Sequence, residues 1–288
     1  MSDTVAEISY VFRGGDLVFP GDLALSGEAG CAHFPAASLE GLRPAARRLY
    51  PSGGRVCEAL RLPADAPLSA LPGLPGGKGP RALPFRAALG ELSPEESAQA
   101  AKALALLNWL AVSAHCGACG APLEDDKAEG FVSGARRCTA CGRVFYPRIS
   151  PAVIVLVRRG GKALLAHNAS FPEGRFGLIA GFVETGEALE AAARRELMEE
   201  TGVEVGELRY RGSQPWPFPD SLMVAFEAEW LSGEARPDGV ELTELRWCGP
   251  DELPSIPPPG SVARRLIDDF RDAACASAAC SPPGSGGR

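Results

Sequence analysis

The sequence predicts an α/β protein: an α/β/α sandwich in its second half, preceded by a cysteine ribbon and a divergent N-terminal α+β domain. Three observations predict this. Two Cys-x2-Cys pairs stand mid-chain. Beyond them, apolar strand-like runs interleave with helical patterns. One of those helices ends in a carboxylate cluster, Glu196-Leu197-Met198-Glu199-Glu200. At 288 residues the chain has room for more than one core, and its 45% hydrophobic and 23% charged content is ordinary for a globular protein.

Residues 1–92 form the divergent N-terminal domain. Short β-like runs at Ile8–Phe12 and Leu17–Phe19 alternate with loops, and the Pro/Gly/Ala-rich stretch 63–84 reads as a long loop or linker. A connecting helix follows over 93–114. Ser93 is its N-cap, Pro94 suits the first helical position, Glu96 completes a capping box, and Leu104, Leu107 and Leu110 recur at helical spacing. The ribbon occupies 115–147. From 148 to 272 the pattern is that of the sandwich. Ala152–Val157 is an apolar β-branched run suited to a strand buried on both faces, and Ala163–His167 is a second strand after a Gly-Gly turn. Further strand-like stretches lie at 203–211, 222–231 and 245–248, with helices at 188–201 and 261–272. The Pro/Gly-rich end, 273–288, is expected to be a disordered tail.

The bulk properties narrow the function. No apolar run approaches the roughly 20 residues that cross a bilayer. The N-terminus lacks the basic-then-apolar order of a secretory signal and the C-terminal SGGR is no known address, so a cytoplasmic protein with no membrane partner is expected. A net charge of −7 argues against a general nucleic-acid coat. Locally, Arg136, Arg137, Arg143, Arg148, Arg158 and Arg159 fall in a stretch without acids, which is either a solvated basic face or a surface for an anionic ligand or RNA.

Cys116/Cys119 and Cys138/Cys141, separated by eighteen residues, form a zinc-ligand pattern, each pair on a tight turn that ends in glycine. Four thiolates leave no open position, so one structural Zn²⁺ per chain is expected rather than a catalytic one. His115 is the alternative ligand. Cys31, Cys57, Cys248, Cys275 and Cys280 lack ligand spacing and are expected to be reduced and incidental. Taken alone, the ribbon would suit a nucleic-acid-binding protein.

At about 100° per residue, Glu196, Glu199 and Glu200 share an arc of about 100° with Leu189, Ala192 and Ala193. The face that docks on the core therefore ends in three clustered carboxylates. A solvated acidic helix end is the simpler reading, but it does not explain the apolar registry. Half-burying three unpaired like charges is costly, and divalent cations relieve that cost. All-oxygen ligands favour Mg²⁺ or Mn²⁺, ions that typically bridge phosphate oxygens.

The segment Gly181-x5-Glu187-x7-Arg195-Glu196-Leu197-x-Glu199-Glu200-x-Gly202-Val203 resembles the Nudix box at every fixed position. This resemblance implies a hydrolase of diphosphates linked to another moiety. It also implies that the loop with Gly181 and Gly186 shapes the approach of the pyrophosphate. Arg195 would orient Glu187, Glu196, Glu199 and Glu200 would bind metal or activate water with Glu199 as the base, and Glu241 would add a metal carboxylate.

Ten residues beyond the box, Ser213-Gln-Pro-Trp-Pro-Phe-Pro-Asp-Ser221 is stiffened by prolines that alternate with Trp216 and Phe218. Such a loop can present ring faces to a dinucleotide or plug the core. The string resembles the motif that distinguishes NADH pyrophosphatases within the superfamily, as do Tyr146-Pro147-Arg148 and Pro257-Pro258-Pro259-Gly260-Ser261 and the domain order. The likeness implies hydrolysis of NADH or NAD⁺ to nicotinamide mononucleotide and AMP, and removal of NAD caps from RNA. It implies a homodimer in which Phe182 stacks on nicotinamide and Tyr146 closes the partner's pocket. Gln214, Trp216, Phe218, Ser221, Met223, Ala180 and Ala263 would line that pocket. The alternatives are an ADP-ribose or dinucleoside-polyphosphate hydrolase, and a zinc-ribbon nucleic-acid binder on an inactive Nudix fold.

Overall fold

The two short apolar runs near the N-terminus pair with each other across a tight turn at Gly14, whose positive φ of 61° suits glycine. The computed structural model describes residues 6–21, 32–39, 42, 44–52, 54–73, 79–127 and 133–279. Two units emerge: residues 1–149 with 215–221, and residues 150–214 with 222–288.

In the first unit, β1 (Ile8–Arg13), β2 (Asp16–Phe19), β3 (Phe34–Pro35), β4 (Ala46–Ser52), β5 (Arg55–Leu62) and β6 (Arg81–Pro84) form one six-stranded sheet. The expected linker at 63–84 is part of this domain. Its last residues are β6, hydrogen-bonded along β2 from Asp16↔Pro84 to Phe19↔Arg81, and Leu71 is buried. Proline and glycine made the stretch look like a spacer, yet Pro84 sits at the end of an edge strand, where a missing N–H costs no ladder bond. Residues 74–78 of this stretch, with Cys31 and Cys280, lie outside the described residues.

A short helix α1 (Phe85–Ala88) leads into α2 (Pro94–Val112), whose Ala100, Ala103, Leu104 and Leu107 are buried with Tyr10, Phe12 and Phe19. The capping box is half made. Ser93 Oγ accepts the Glu96 N–H at 3.1 Å, but the Glu96 carboxylate does not reach back. It accepts the Tyr10 hydroxyl at 3.0 Å and meets His33 Nδ1 at 2.9 Å, a charge-assisted pairing that outweighs a bond to a main-chain N–H. Next, β7 (Leu123–Asp125), β8 (Arg136–Cys138) and β9 (Val144–Phe145) build the ribbon's three-stranded sheet. The ribbon is tied to the same unit by Trp109 Nε1 donating to Gly134 O at 2.9 Å and by an Arg48–Asp125 ion pair. The three regions drawn separately from sequence thus form one unit.

The second unit is the expected sandwich. Strands β10 (Ser150–Arg159), β11 (Lys162–Asn168), β12 (Ile179–Phe182), β13 (Glu204–Val205), β14 (Arg209–Trp216), β15 (Ser221–Ser232) and β16 (Leu242–Cys248) make a seven-stranded sheet. Alternation along β10 sends Val153, Val155 and Val157 to one face and Ile154 and Leu156 to the other. Helix α3 (Leu189–Thr201) covers the first face with Ala192, Ala193 and Leu197. Helix α4 (Val262–Ala279) covers the second with Leu266, Ile267 and Phe270. Two details differ from the sequence reading. Strand β12 was not anticipated, because Ile-Ala-Gly-Phe is short and weakly β-forming. The last helix runs on to Ala279, past the point at which a disordered tail was expected. Among the described residues no helix is long and apolar enough to cross a membrane.

Candidate active site

Strand β12 pairs antiparallel with β10, placing Gly181 opposite Val153, and Ala180 and Phe182 opposite Ile154 and Ala152. Cross-strand partners share a face. Gly181 therefore faces α3, while Ala180 and Phe182 lie on the α4 side with Met223 and Ala263, which pack against that core. The Phe182 ring is 58% exposed.

Helix α3 carries the carboxylates according to its pitch. Glu196 and Glu200 point to the sheet, with Glu200 only 7% exposed, and Glu199 points outward. Glu196 lies directly over Gly181, where a Cβ would come within 1.9 Å of the carboxyl carbon. No other residue leaves that space. Arg195 organises the rest. Its Nε and Nη2 grip Glu187 at 2.9 and 3.0 Å, its Nη1 reaches Glu196 at 2.8 Å and Glu199 at 3.3 Å, and Nη2 also donates to Phe182 O at 2.9 Å. This fork holds the Glu187 carboxyl below the ordinary range.

Glu200 has no such partner. Burial first, then Glu196, Glu241 and Asp238, pushes its pKa up to about 8. A buried carboxyl on which three other acids act fits a divalent cation by the chemistry of its donors, oxygen ligands with surplus negative charge, although of these only Glu200 is buried while Glu241 and Asp238 are exposed. Glu241 belongs to this neighbourhood; Glu187 is turned instead to Arg195.

Several residues expected to line a substrate pocket have other partners. The Gln214 amide donates to Gly260 O and accepts the Val262 N–H, both at 2.7 Å, so both its polar ends pin the proline turn to the start of α4. Trp216, Phe218 and Tyr146 belong to the first unit, and Ser221, its last residue, is buried. Trp216 and Phe218 meet edge to face with ring centroids 5.0 Å apart, Phe218 lies 5.9 Å from Phe85, and Arg86 caps Phe218 at 4.5 Å. Asn108 Nδ2 anchors the loop by donating to Pro217 O and Pro219 O at 3.1 and 2.9 Å. The loop is at least in part the core plug that was its alternative reading, whereas Tyr146 remains 53% exposed.

The sulfurs of Cys116, Cys119, Cys138 and Cys141 lie within 4.8 Å of one another, with Cys116–Cys141 at 3.7 Å and Cys119–Cys138 at 3.5 Å. A tetrahedral ion with ligands at about 2.3 Å sets sulfurs about 3.8 Å apart. Gly120 and Gly142, at φ of 75° and 71°, close the two turns. The Cys141 N–H, donated to Cys138 Sγ, is the main cause that pushes the Cys138 thiol down to about 6. His115 lies outside the group. Cys57 and Cys248 are free and buried, and Cys275 is free and exposed.

Three of the six arginines of the basic stretch are paired with acids. Arg137 pairs with Asp126 at 2.6 Å, Arg148 with Asp220 at 3.1 Å and Arg158 with Glu227 at 2.9 Å, while Arg136 donates to Leu123 O and Arg159 stacks 3.9 Å over Trp230. The charge argument for a path along which RNA leaves is weakened accordingly. Sequence reading missed these acids because they lie far along the chain or across a strand pair.

The NUDIX domain model matches residues 148–270. The NAD-capped RNA hydrolase NudC of Chromobacterium violaceum is 46% identical over 194 residues, 66% of this chain and 72% of that protein. The NAD-capped RNA hydrolase NudC of Salmonella paratyphi C is 51% identical over 154 residues, 54% of this chain, and the match spans only 58% of that relative's length. A NUDIX hydrolase crystal structure from Nitrosomonas europaea aligns with a TM-score of 0.46 at 27% identity, covering 58% of this chain and 94% of its own.

Proposed function

The chain belongs to the Nudix family, in the branch of the NADH pyrophosphatases and NAD-capped RNA hydrolases, and on that premise we propose that it hydrolyses the diphosphate of NADH or NAD⁺. Water cleaves the P–O–P link, giving nicotinamide mononucleotide and AMP, and the same cleavage on RNA removes an NAD cap. The observation that carries this reading is the buried Glu200 beside Glu196 and Glu241, at the end of a helix ordered by Arg195. Glu196, Glu199, Glu200 and Glu241 would hold Mg²⁺ or Mn²⁺. Such an ion supplies neutralising charge for the diphosphate and a water of lowered pKa. Arg195 fixes Glu187 and also reaches Glu199, which is turned outward at the helix surface and is the residue we assign to take a proton. A homodimer rests on the family likeness.

One observation favours a second reading, an ADP-ribose or dinucleoside-polyphosphate hydrolase: the rings of Trp216 and Phe218 are partly occupied within the first unit. Phe182 is then the exposed ring left for nicotinamide. Incubation with NADH, ADP-ribose and NAD-capped RNA plus Mn²⁺, with products identified, separates the readings. Phe182→Ala is expected to lower kcat/KM for NADH by roughly ten- to a hundredfold, the worth of one base–aromatic stack, and to affect ADP-ribose much less. Equal losses on both substrates, with circular dichroism unchanged, would make Phe182 structural.

The four cysteines would hold a structural zinc. Metal analysis is expected to find about one zinc per chain, and Cys138→Ser is expected to lower the melting temperature. A zinc-free Cys138→Ser protein that melts with the wild type would refute this assignment.

A further inference from the structure

The far end of α3 is closed by a loop rather than by solvent. After Gly202, whose N–H closes the helix on Met198 O, the last three carbonyls of the helix remain, among them those of Glu200 and Thr201. Both are met by one returning segment: Arg236 N–H donates to Thr201 O at 3.0 Å, and Asp238 N–H donates to Glu200 O at 3.1 Å. Gly233, with φ of 92°, allows that return, since a Cβ there would come within 2.2 Å of Gly202 O.

From this anchored position the Asp238 carboxylate turns forward. Its Oδ2 accepts the Glu241 N–H at 3.1 Å and its Oδ1 accepts the Leu242 N–H at 2.8 Å. Ala169 N–H secures the other side of the same residue by donating to Glu241 O at 2.9 Å. Asp238 thus bonds through its backbone to Glu200, whose carboxylate is buried, and through its side chain to the main chain of Glu241, whose carboxylate is exposed. Both of its carboxylate oxygens are spent on main-chain donors, which suits it to hold geometry rather than to bind an ion directly.

We infer that Asp238 is a positioning residue, which sets Glu241 against Glu200 by linking the 238–242 turn to the C-terminus of α3. The inference rests on the proposed reading of Glu200 and Glu241 as a cation site. Residues that orient metal ligands are typically worth about ten- to a hundredfold in metal affinity, so Asp238→Ala is expected to weaken Mn²⁺ binding by that factor.

The test measures Mn²⁺ binding to the full chain from the free-ion electron paramagnetic resonance signal, with metal-free thermal unfolding alongside. It compares wild type, Asp238→Ala, Glu241→Gln and the double variant. If Asp238 acts through Glu241, the double variant binds like Glu241→Gln alone, because coupled sites are not additive. Asp238→Asn keeps one acceptor and is expected to lose less; it serves should the alanine variant not fold. Losses that add in full in the double variant would overturn the inference. So would Asp238→Ala binding like wild type while Glu241→Gln binds weakly, a result that leaves the cation site intact. Wild-type binding by Glu241→Gln would overturn the assignment of Glu241 and the inference with it.

Discussion

Glu200→Gln is expected to cut turnover of NADH by about 10² to 10⁴ at saturating Mn²⁺ while making the metal-free protein more tolerant of alkali. The two effects share one cause. In the fold the Glu200 carboxyl is pushed from 4.5 up to about 8, chiefly by burial. A carboxyl raised in the native state costs nothing while protonated in both states. The cost appears once the unfolded chain ionises it, so stability is lost as pH rises from 4.5 through about 8. A neutral glutamine removes that slope, and a bound divalent cation should remove it in the wild type. Thermal melts from pH 4.5 to 8.5, with and without Mn²⁺, read the stability side. A variant that keeps a third of wild-type turnover, or a wild-type melting point flat across this window, would sink the assignment.

Gly181→Ala is expected to lose about a hundredfold in kcat, the usual result of displacing a catalytic group by about 1 Å, at little cost in stability. The added methyl would overlap the Glu196 carboxyl, the far end of a flexible side chain that can swing away. The backbone there is ordinary strand, so alanine brings no conformational strain of its own. Melting within a few degrees of wild type, together with a collapsed turnover, is the expected pair of results. Near-normal turnover would show that Glu196 need not sit over this strand.

Much of the second unit was legible because its information is periodic. The valines of β10 and the spacing of Ala192, Ala193, Glu196, Leu197 and Glu200 state which face is buried, and the structure follows them. The cysteine turns were legible for the same reason, since ligand spacing is local. What could not be read depends on partners distant in sequence. Nothing in Val240-Glu241-Leu242 reveals that Asp238 holds its amides, because any acceptor three residues upstream looks like a solvated turn. Glu96 looked like a capping residue until Tyr10 and His33 came within reach. Residues 81–84 were hidden by their composition, and β12 by being short and small.

The proline-aromatic segment has a consequence for how this protein can be divided. Residues 215–221 comprise the end of β14, the loop after it and the first residue of β15, yet they are counted with the first unit, held by Asn108 and packed with Phe85 and Arg86. The polypeptide therefore passes between the units at 149/150, at 214/215 and at 221/222. A fragment starting at residue 150 would retain every carboxylate of the box but strip Trp216 and Phe218 of the ring and guanidinium that cover them, leaving an adhesive apolar tip. Recombination with another Nudix sequence would have to exchange 215–221 together with residues 85–108, or keep both.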